Sequence, residues 1–269
     1  MSNEVMFPLP WAADAPMLQP AGRAPHKIVV DGVYKAFRTE AGALEVVGGI
    51  SFSVAAGQTL AIVGPSGCGK STLLGILAGF SPPDRGGVLI DGVRRQRADR
   101  RGIVISQQGS VFPWLSVQEN IAFGLDTGTR AERLEIVAHF VELVGLKGFE
   151  RRYPHELSGG MLKRVELARA FAVKPEILYM DEPFSALDAL MSLRMRNELL
   201  QLLRQHQQTL LLITHDVEEA IHLADRILVL TPRPATIKAS IDVTLTHPRK
   251  LTSLEAQSLK ERILRELGV

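Results

Sequence analysis

The segment GPSGCGKST, residues 64–72, constrains the fold of this chain more than any other feature. It follows the apolar run QTLAIV and leads into KSTLLGILAGF, so it lies between a predicted strand and a predicted helix. It matches the pattern G-x-x-x-x-G-K-[ST], in which the backbone amides of a glycine-rich turn surround nucleotide phosphates. Lys70 is predicted to reach the β- and γ-phosphates, Ser71 to ligate Mg²⁺, and Thr72 to lie near the α-phosphate. The predicted nucleotide-binding residues of this segment are Gly64, Pro65, Ser66, Gly67, Cys68, Gly69, Lys70, Ser71 and Thr72.

The segment ILYMDEPFSALD places two carboxylates at the end of another apolar strand. Four apolar residues precede Asp181 and Glu182, so both are predicted at the strand end where ligands bind in α/β sheets. Asp181 is the predicted Mg²⁺ ligand, and Glu182 is the predicted general base for an attacking water. The alternative, two solvated carboxylates, does not account for the complete phosphate loop in the same chain.

Two further strand ends carry polar side chains. His215 follows LLLIT and is predicted to hydrogen-bond the γ-phosphate or the attacking water. Gln107 follows GIVIS and is predicted to contact Mg²⁺ or water and to respond to the γ-phosphate. On these segments alone the alternatives stay open, namely a helix-capping neighbourhood around His215 and an ordinary polar loop around Gln107.

A second candidate phosphate site lies in ELSGGMLKRVELARA, residues 156–170. Ser158, Gly159 and Gly160 directly precede a predicted amphipathic helix, and a glycine-rich helix start leaves backbone N–H groups free for an anion. The chain has one nucleotide loop, so the sequence raises the question of which phosphate this second site binds.

Strand-like runs alternate with helix-like runs after residue 27, which favours an α/β fold around a sheet with a parallel core. A helical stretch is predicted at 117–146, with Leu134, Val137, Val141 and Val144 on one face. Other predicted helices cover 161–173, 189–206 and 217–224, and a last one starts near residue 254. The predicted domains are a flexible, proline-broken arm at 1–26, a nucleotide-binding domain at 27–231 with a helical subdomain at about 115–170, and a C-terminal extension at 232–269.

Composition excludes several classes of function. The net charge of +2 gives no reason to expect a nucleic-acid partner, and the single cysteine, Cys68, fits a reducing compartment and is interpreted as a small filler rather than a redox switch. No apolar run approaches the roughly 18–20 residues that span a bilayer. Five arginines between Arg94 and Arg101 are interpreted as an exposed hairpin-like loop, with contact to anionic lipid or to a loop of a permease as the alternative.

The order of these motifs resembles the ATP-binding subunit of an ABC transporter over about residues 27–230. LSGG corresponds to the signature motif, although Met161 follows it where glutamine is common. The resemblance implies an α/β fold: a P-loop ABC ATPase core with a mixed sheet, an antiparallel β subdomain and an inserted helical subdomain. It also implies ATP and Mg²⁺ as ligands and an aromatic residue under the adenine, for which Phe37 is the first candidate and Tyr34 the second. A plain core role for Phe37 stays open.

The resemblance answers the question of the second phosphate site. In this family two cassettes pack head to tail, and each ATP lies between the phosphate loop of one chain and the signature of the other. It therefore implies that Ser158, Gly159 and Gly160 bind the ATP of the partner in a homodimer, and that Asp188 of SALD lines the dimer interface. Glu182, His215 and Gln107 are the implied catalytic residues, and Ser71, Gln107 and Asp181 the implied Mg²⁺ ligands.

The sequences of several segments resemble those of the ATPase subunits of nitrate, sulfonate and taurine importers. These segments are DEPFSALDAL, THDVEEAIHLADRILVL and PRPATIKASIDV. This implies an integral membrane permease, an extracytoplasmic substrate-binding protein that acts indirectly, and a peripheral position on the cytoplasmic face of the inner membrane. Phe112, Pro113 and Trp114 are the candidate permease contact, with a turn packed into the subdomain as the alternative. Rival functions are an exporter or lipid-trafficking ATPase, a non-transport ABC ATPase, and a module that binds ATP without hydrolysing it.

Overall fold

The computed structural model describes residues 26–40, 42–107 and 109–269. The predicted arm at 1–26 lies outside these residues, apart from His26, which begins the first strand. The strands are β1 (His26–Thr39), β2 (Gly42–Ala55), β3 (Thr59–Val63), β4 (Arg85–Ile90), β5 (Val93–Arg94), β6 (Gly102–Ile105), β7 (Ile177–Asp181), β8 (Thr209–Ile213), β9 (Arg226–Leu230) and β10 (Ile237–Asp242). The helices are α1 (Lys70–Ala78), α2 (Val117–Ala122), α3 (Arg130–Leu143), α4 (Gly159–Ala172), α5 (Ala189–His206), α6 (Val217–Leu223) and α7 (Leu254–Leu267).

Two sheets form the framework. The first has the order β2-β1-β4-β5, and all of its pairs are antiparallel. The second has the order β10-β9-β3-β8-β7-β6, in which β10 is antiparallel to β9 and every other pair is parallel. The predicted mixed sheet, antiparallel β subdomain and helical insertion are therefore confirmed. The predicted domain boundaries stay predictions.

The six-stranded sheet is buried on both faces. On β3, Leu60 and Ile62 belong to a core shared with α1 and the antiparallel sheet, whereas Ala61 and Val63 belong to a core on the opposite face. The second core includes Met195 of α5 among residues of the other helices. Strands covered on both faces read as continuous apolar runs, which is why these segments were recognisable in the sequence.

The helical stretch predicted at 117–146 is interrupted. The chain leaves α2 and turns through Gly128, whose φ is +82°, before α3 begins. Thr129 and Glu132 form a capping box, in which each side chain accepts a hydrogen bond from the other residue's backbone N–H. Leu134, Val137 and Val141 line one surface cavity and so share a face, as predicted, although Leu134 at its edge is 60% exposed while Val137 and Val141 are buried.

The strand β1 extends beyond the predicted run KIVVDGV because its second half pairs with β2. Phe37 lies opposite Leu44, and the hairpin continues to the pair Thr39 and Gly42. This extension brings Phe37 beside the end of β2. None of the helices within the described residues is long and apolar enough to span a membrane.

Candidate active site

The phosphate loop joins β3 to α1, as the motif requires. Gly67 and Gly69 have φ values of +71° and +122°, a region that other residues rarely adopt. A methyl group at Gly69 would lie 2.7 Å from Val46 Cγ1, so the close approach of β2 also requires glycine there. No side chain caps the start of α1, which leaves its first N–H groups directed into the loop.

Lys70 is buried at the base of the loop. Its Nζ donates hydrogen bonds of 2.9 Å to the carbonyl oxygens of Gly64 and Pro65. Those two bonds hold the ammonium across the turn, where an anion bound by the loop amides would meet it. Cys68 is buried in the core beneath the loop, which agrees with a filler.

One open cleft of about 430 Å³ is lined by most of the predicted nucleotide-binding and catalytic residues. Phe37, the first candidate for stacking on the adenine, lines this cleft and is 43% exposed. Tyr34, the second candidate, is not among the described lining residues, and the Cζ of Arg85 lies 4.4 Å from its ring centroid. The lining residues are Phe37, Leu44, Val46, Ser66, Gly67, Gly69, Lys70, Ser71, Thr72, Gln107, Asp181, Glu182 and Arg233.

Three of these lining residues were not identified from the sequence. Leu44 and Val46 come from β2, and the pairing of Phe37 with Leu44 would have indicated them had the hairpin been recognised. Arg233 follows β9 in the segment TPRP, more than 160 residues after the phosphate loop, and no local pattern pointed to it.

Glu182 is held between the two other predicted catalytic side chains. Its Oε1 lies 3.1 Å from His215 Nδ1, and its Oε2 lies 3.5 Å from Gln107 Nε2. The φ of Glu182 is +48°, a strained value for a residue other than glycine, and its N–H donates to the carbonyl of Ile213 on β8. The strand ends thus bring Gln107, Glu182 and His215 together, while their roles stay predictions.

Asp181 and Ser71 form the candidate Mg²⁺ site. Burial raises the pKa of Asp181, while a hydrogen bond with the Ser71 side chain and the charge of Lys70 act in the opposite direction. Among the described residues no group of three or more histidine, cysteine, aspartate or glutamate side chains is arranged so that it could hold a metal ion by itself. Mg²⁺ at nucleotide sites takes one or two protein oxygens and completes its shell with phosphates and water, so a hydroxyl beside a carboxylate fits this ion.

The signature residues lie at the start of α4. Ser158 caps this helix by accepting a hydrogen bond from Met161 N at 3.3 Å. A methyl group at Gly160 would lie 3.3 Å from the carbonyl oxygen of Ala186, so this glycine packs closely against the SALD segment. The described lining of the cleft includes none of Ser158, Gly159 and Gly160. Among the described residues, no hydrogen bond joins Ser158, Gly159 or Gly160 to the phosphate loop.

Asp188 caps α5, accepting a hydrogen bond from Met191 N at 3.0 Å, and it is exposed. The SALD segment in front of it contacts Gly160, which links the starts of α4 and α5. The structure thus gives Asp188 a local capping contact, and its role at a dimer interface stays a prediction.

The candidate permease contact lies at the edge of the helical subdomain. Trp114 is 68% exposed, and its ring centroid lies 5.4 Å from that of Phe112. Phe112 also contacts Phe123 and is covered by the guanidinium of Arg169 at 4.7 Å. Phe112 is therefore packed into the subdomain, whereas Trp114 extends from it.

The arginine-rich segment is partly buried. Arg95 is 2% exposed at its side chain, pairs with Asp99 at 2.9 Å and donates to the carbonyl of Ala78 at the end of α1. Arg101 also pairs with Asp99 at 2.9 Å. The antiparallel pairing of β4 with β5 and the exposure of Arg94, Arg97 and Arg100 agree with an exposed hairpin-like loop, whereas Arg95 and Arg101 are engaged in these contacts.

Comparison with known proteins decides the family. The ABC transporter family matches residues 47–185, which include the phosphate loop, the signature and the acidic strand end. The chain belongs to the ABC transporter ATP-binding proteins. This ABC chain binds ATP, and its activity is ATP hydrolysis.

Relatives match the ABC chain along most of its length. An uncharacterised ABC transporter ATP-binding protein of Methanocaldococcus jannaschii is 43% identical over 88% of this chain and 90% of its own length. An aliphatic sulfonates import ATP-binding protein of Bacillus cereus is 39% identical, with 89% and 95% covered. A nitrate import ATP-binding protein of Synechococcus elongatus is 40% identical, with 82% of each chain covered.

Solved structures agree with the fold. The ATP-binding cassette MJ0796, in a dimeric post-hydrolysis state with ADP and Pi, superposes with a TM-score of 0.74 at 25% identity. The match covers 81% of the ABC chain and all of the cassette.

Proposed function

We propose that this chain is the ATPase subunit of an importer for a small anionic or zwitterionic solute such as nitrate, a sulfonate or taurine. Relatives named for sulfonate and nitrate import are 39% and 40% identical over most of the chain and support this class. The chain would work with a separate integral membrane permease and, indirectly, with an extracytoplasmic substrate-binding protein. Its position would be peripheral, on the cytoplasmic face of the inner membrane.

Glu182 would act as the general base. The observation that carries this proposal is the contact of its carboxylate with His215 at 3.1 Å, in the same cleft as Lys70. A carboxylate oriented from one side by histidine and from the other by Gln107 is positioned to polarise a water beside the terminal phosphate. His215 would hold the γ-phosphate, and Gln107 would transmit its presence to the helical subdomain.

The nucleotide would lie along the cleft from Phe37 to Glu182. Phe37 offers a half-exposed ring for stacking of the adenine, and the loop amides with Lys70 would bind the phosphates. Ser71 and Asp181 would hold Mg²⁺, with Gln107 as a further ligand. Mg²⁺, when bound, would neutralise charge on the phosphates.

Two chains would close head to tail around two nucleotides. Ser158, Gly159 and Gly160 of one chain would bind the γ-phosphate held by the phosphate loop of the other, and Asp188 would lie at this interface. Two observations support the arrangement: among the described residues no hydrogen bond joins the signature to the phosphate loop of its own chain, and the cassette MJ0796 is dimeric. Loss of the γ-phosphate would remove the group that joins the halves, so hydrolysis would reopen the dimer.

The first experiment measures the mass of purified Glu182→Gln by light scattering with and without Mg·ATP. We expect a shift from monomer to dimer with ATP, because the variant binds the nucleotide but cannot hydrolyse it. The same variant carrying Ser158→Arg should stay monomeric while it still binds ATP. A dimer that forms equally well with Ser158→Arg would contradict the role of the signature.

A second experiment addresses the transported solute. Cells that encode the chain are compared with a deletion strain, and with one carrying Glu182→Gln, for uptake of labelled nitrate, taurine and an alkanesulfonate. We expect the two mutant strains to lose uptake of one of these solutes. Unchanged uptake of all three would favour the alternatives, an exporter, a lipid-trafficking system or a non-transport ABC ATPase.

A further inference from the structure

Arg233 extends over the phosphate loop from the segment that follows β9. A methyl group built at Gly67 would lie only 3.3 Å from Arg233 Nη2, and Arg233 lines the same cleft as Lys70 and Ser71. The guanidinium therefore stands beside the middle of the loop that binds phosphates. Lys70 and Arg233 are the two cations in the described lining of this cleft.

The backbone around Arg233 is fixed by several contacts. Ala235 donates from its N–H to Val46 O at 2.9 Å, and Gly48 donates to Ala235 O at 2.9 Å, so the segment is bonded directly to β2. Thr231 and Thr236 close the turn between β9 and β10 with hydrogen bonds of 2.9 and 3.0 Å. These bonds restrict the segment, so the backbone of Arg233 is held within reach of the loop.

The guanidinium has no competing partner among the residues that the structure describes. It is exposed, and no hydrogen bond or ion pair of its side chain exists within the described parts of the chain. Arg95 and Arg101, in contrast, are paired with Asp99. An unpaired guanidinium that a restrained backbone segment carries beside a phosphate-binding turn is suited to a charge-assisted hydrogen bond with a phosphate oxygen.

We infer that Arg233 binds the phosphate chain of the nucleotide in its own cleft, as a second cation besides Lys70. The inference rests on the proposed course of the nucleotide through the cleft. Sheet topology adds a direction, because β9 flanks β3 on one side while β8 and β7 lie on the other. Arg233 therefore approaches the loop from the side opposite to Glu182 and His215, and it contributes to nucleotide affinity rather than to the activation of water.

Calorimetric titration of Arg233→Met tests this inference. ADP is titrated into the otherwise wild-type chain with Mg²⁺, and ATP into the Glu182→Gln background, so that turnover does not interfere. We expect affinities for both nucleotides to fall by about tenfold, with Arg233→Lys between parent and Arg233→Met. In steady-state hydrolysis KM for ATP should rise, while kcat stays within about threefold of the parent.

The matched control is Arg262→Met, which removes an exposed arginine of α7 that does not line the cleft and should leave both affinities unchanged. Lys70→Met provides a reference for loss of the phosphate loop. If Arg233→Met binds ADP within twofold of the parent while Lys70→Met loses binding, the inference is overturned and the proposed site stands. Unchanged ADP binding by Lys70→Met would instead overturn the proposed nucleotide site itself.

Discussion

Glu182 combines a strained backbone with a position between two polar side chains. Its φ of +48° costs on the order of 1–3 kcal/mol, a cost that proteins tolerate mainly where the surrounding structure fixes the residue. The hydrogen bond from its N–H to Ile213 O and the contact with His215 Nδ1 supply that fixation. The strain is thus located at the residue proposed to activate water.

The substitution Glu182→Gln is expected to lower kcat for ATP hydrolysis by roughly 10²–10⁴-fold, because the amide cannot accept a proton from water. The side chain keeps its shape, so the affinity for ATP should stay close to that of the parent. Phosphate release assays and calorimetry measure the two quantities. The exposed Glu261→Gln serves as the control, and near-parental turnover of Glu182→Gln would reject the role of general base.

Glu219 gives a prediction on pH and stability. Burial raises its pKa from 4.5 to about 7, although Thr214 Oγ1 donates to it at 2.7 Å. Between these two pH values the folded chain holds a proton that the unfolded chain has lost, so the free energy of unfolding falls as pH rises and levels off above about pH 7.

The variant Glu219→Gln lacks this titration. Between pH 5 and pH 8 the free energy of unfolding of the parent should therefore fall by on the order of 3 kcal/mol relative to that of Glu219→Gln, since one pKa unit corresponds to about 1.4 kcal/mol. Urea unfolding at the two pH values measures the difference. Glu261→Gln should show none, and an equal change in parent and Glu219→Gln would contradict a buried, protonated Glu219.

At the scale of elements, Asn120 fixes the loop that carries Trp114. The side chain is fully buried on α2, and its Nδ2 donates to the carbonyls of Phe112, Leu115 and Ser116. Its Oδ1 accepts from Phe112 N at 2.9 Å. Because Nδ2 has two hydrogens, one N–H is shared between two of these carbonyls, and the amide as a whole contacts four backbone groups of residues 112–116.

The substitution Asn120→Ala is expected to lower the free energy of unfolding by about 2–3 kcal/mol, because several buried backbone groups lose their partners. ADP binding should persist, since Asn120 does not line the nucleotide cleft. Denaturant unfolding and ADP titration test the two statements. Gln201→Ala on the exposed face of α5 is the control, and equal stability of the two variants would contradict the role of Asn120.

The sequence predicted the elements whose patterns are local. Strands covered on both faces, such as β3, β7 and β8, are continuous apolar runs, and the phosphate loop fixes the start of α1 by its own motif. The interruption between α2 and α3 was missed although residues 126–130 read DTGTR without an apolar side chain; Gly128 and the capping pair Thr129 and Glu132 were the available signals.

Contacts between distant segments were not predictable in this way. The position of Arg233 depends on the hydrogen bonds of Ala235 with β2, which join segments nearly 190 residues apart. The approach of Gln107 to Glu182 likewise depends on the pairing of β6 with β7. A sequence pattern indicates a polar strand end, but only the order of strands decides which ends meet.

For the whole molecule, the proposed head-to-tail dimer predicts complementation between two defective chains. Lys70→Met damages the phosphate loop and Ser158→Arg damages the signature, so each homodimer should be inactive. A mixed dimer contains one site with both defects and one site with neither. Mixing should therefore restore ATP hydrolysis to a large fraction of one normal site.

Hydrolysis is measured after titration of one variant into the other at constant total protein. Two variants that share the same defect, Lys70→Met and Lys70→Ala, form the control and should gain nothing on mixing. If Lys70→Met and Ser158→Arg also gain nothing, although each binds the other in light scattering, the signature does not act on the partner's nucleotide.

The position of the signature at the start of α4 has a consequence for kinetic order. If half of each site is supplied by another molecule, as the proposed dimer requires, the rate of a dilute chain should rise with the square of its concentration and become linear only when dimers saturate. A permease that holds two such chains would replace bulk concentration by an effective local concentration, which for short tethers reaches the millimolar range. Attachment to the transporter would then determine how many chains are active, independently of how many the cell contains.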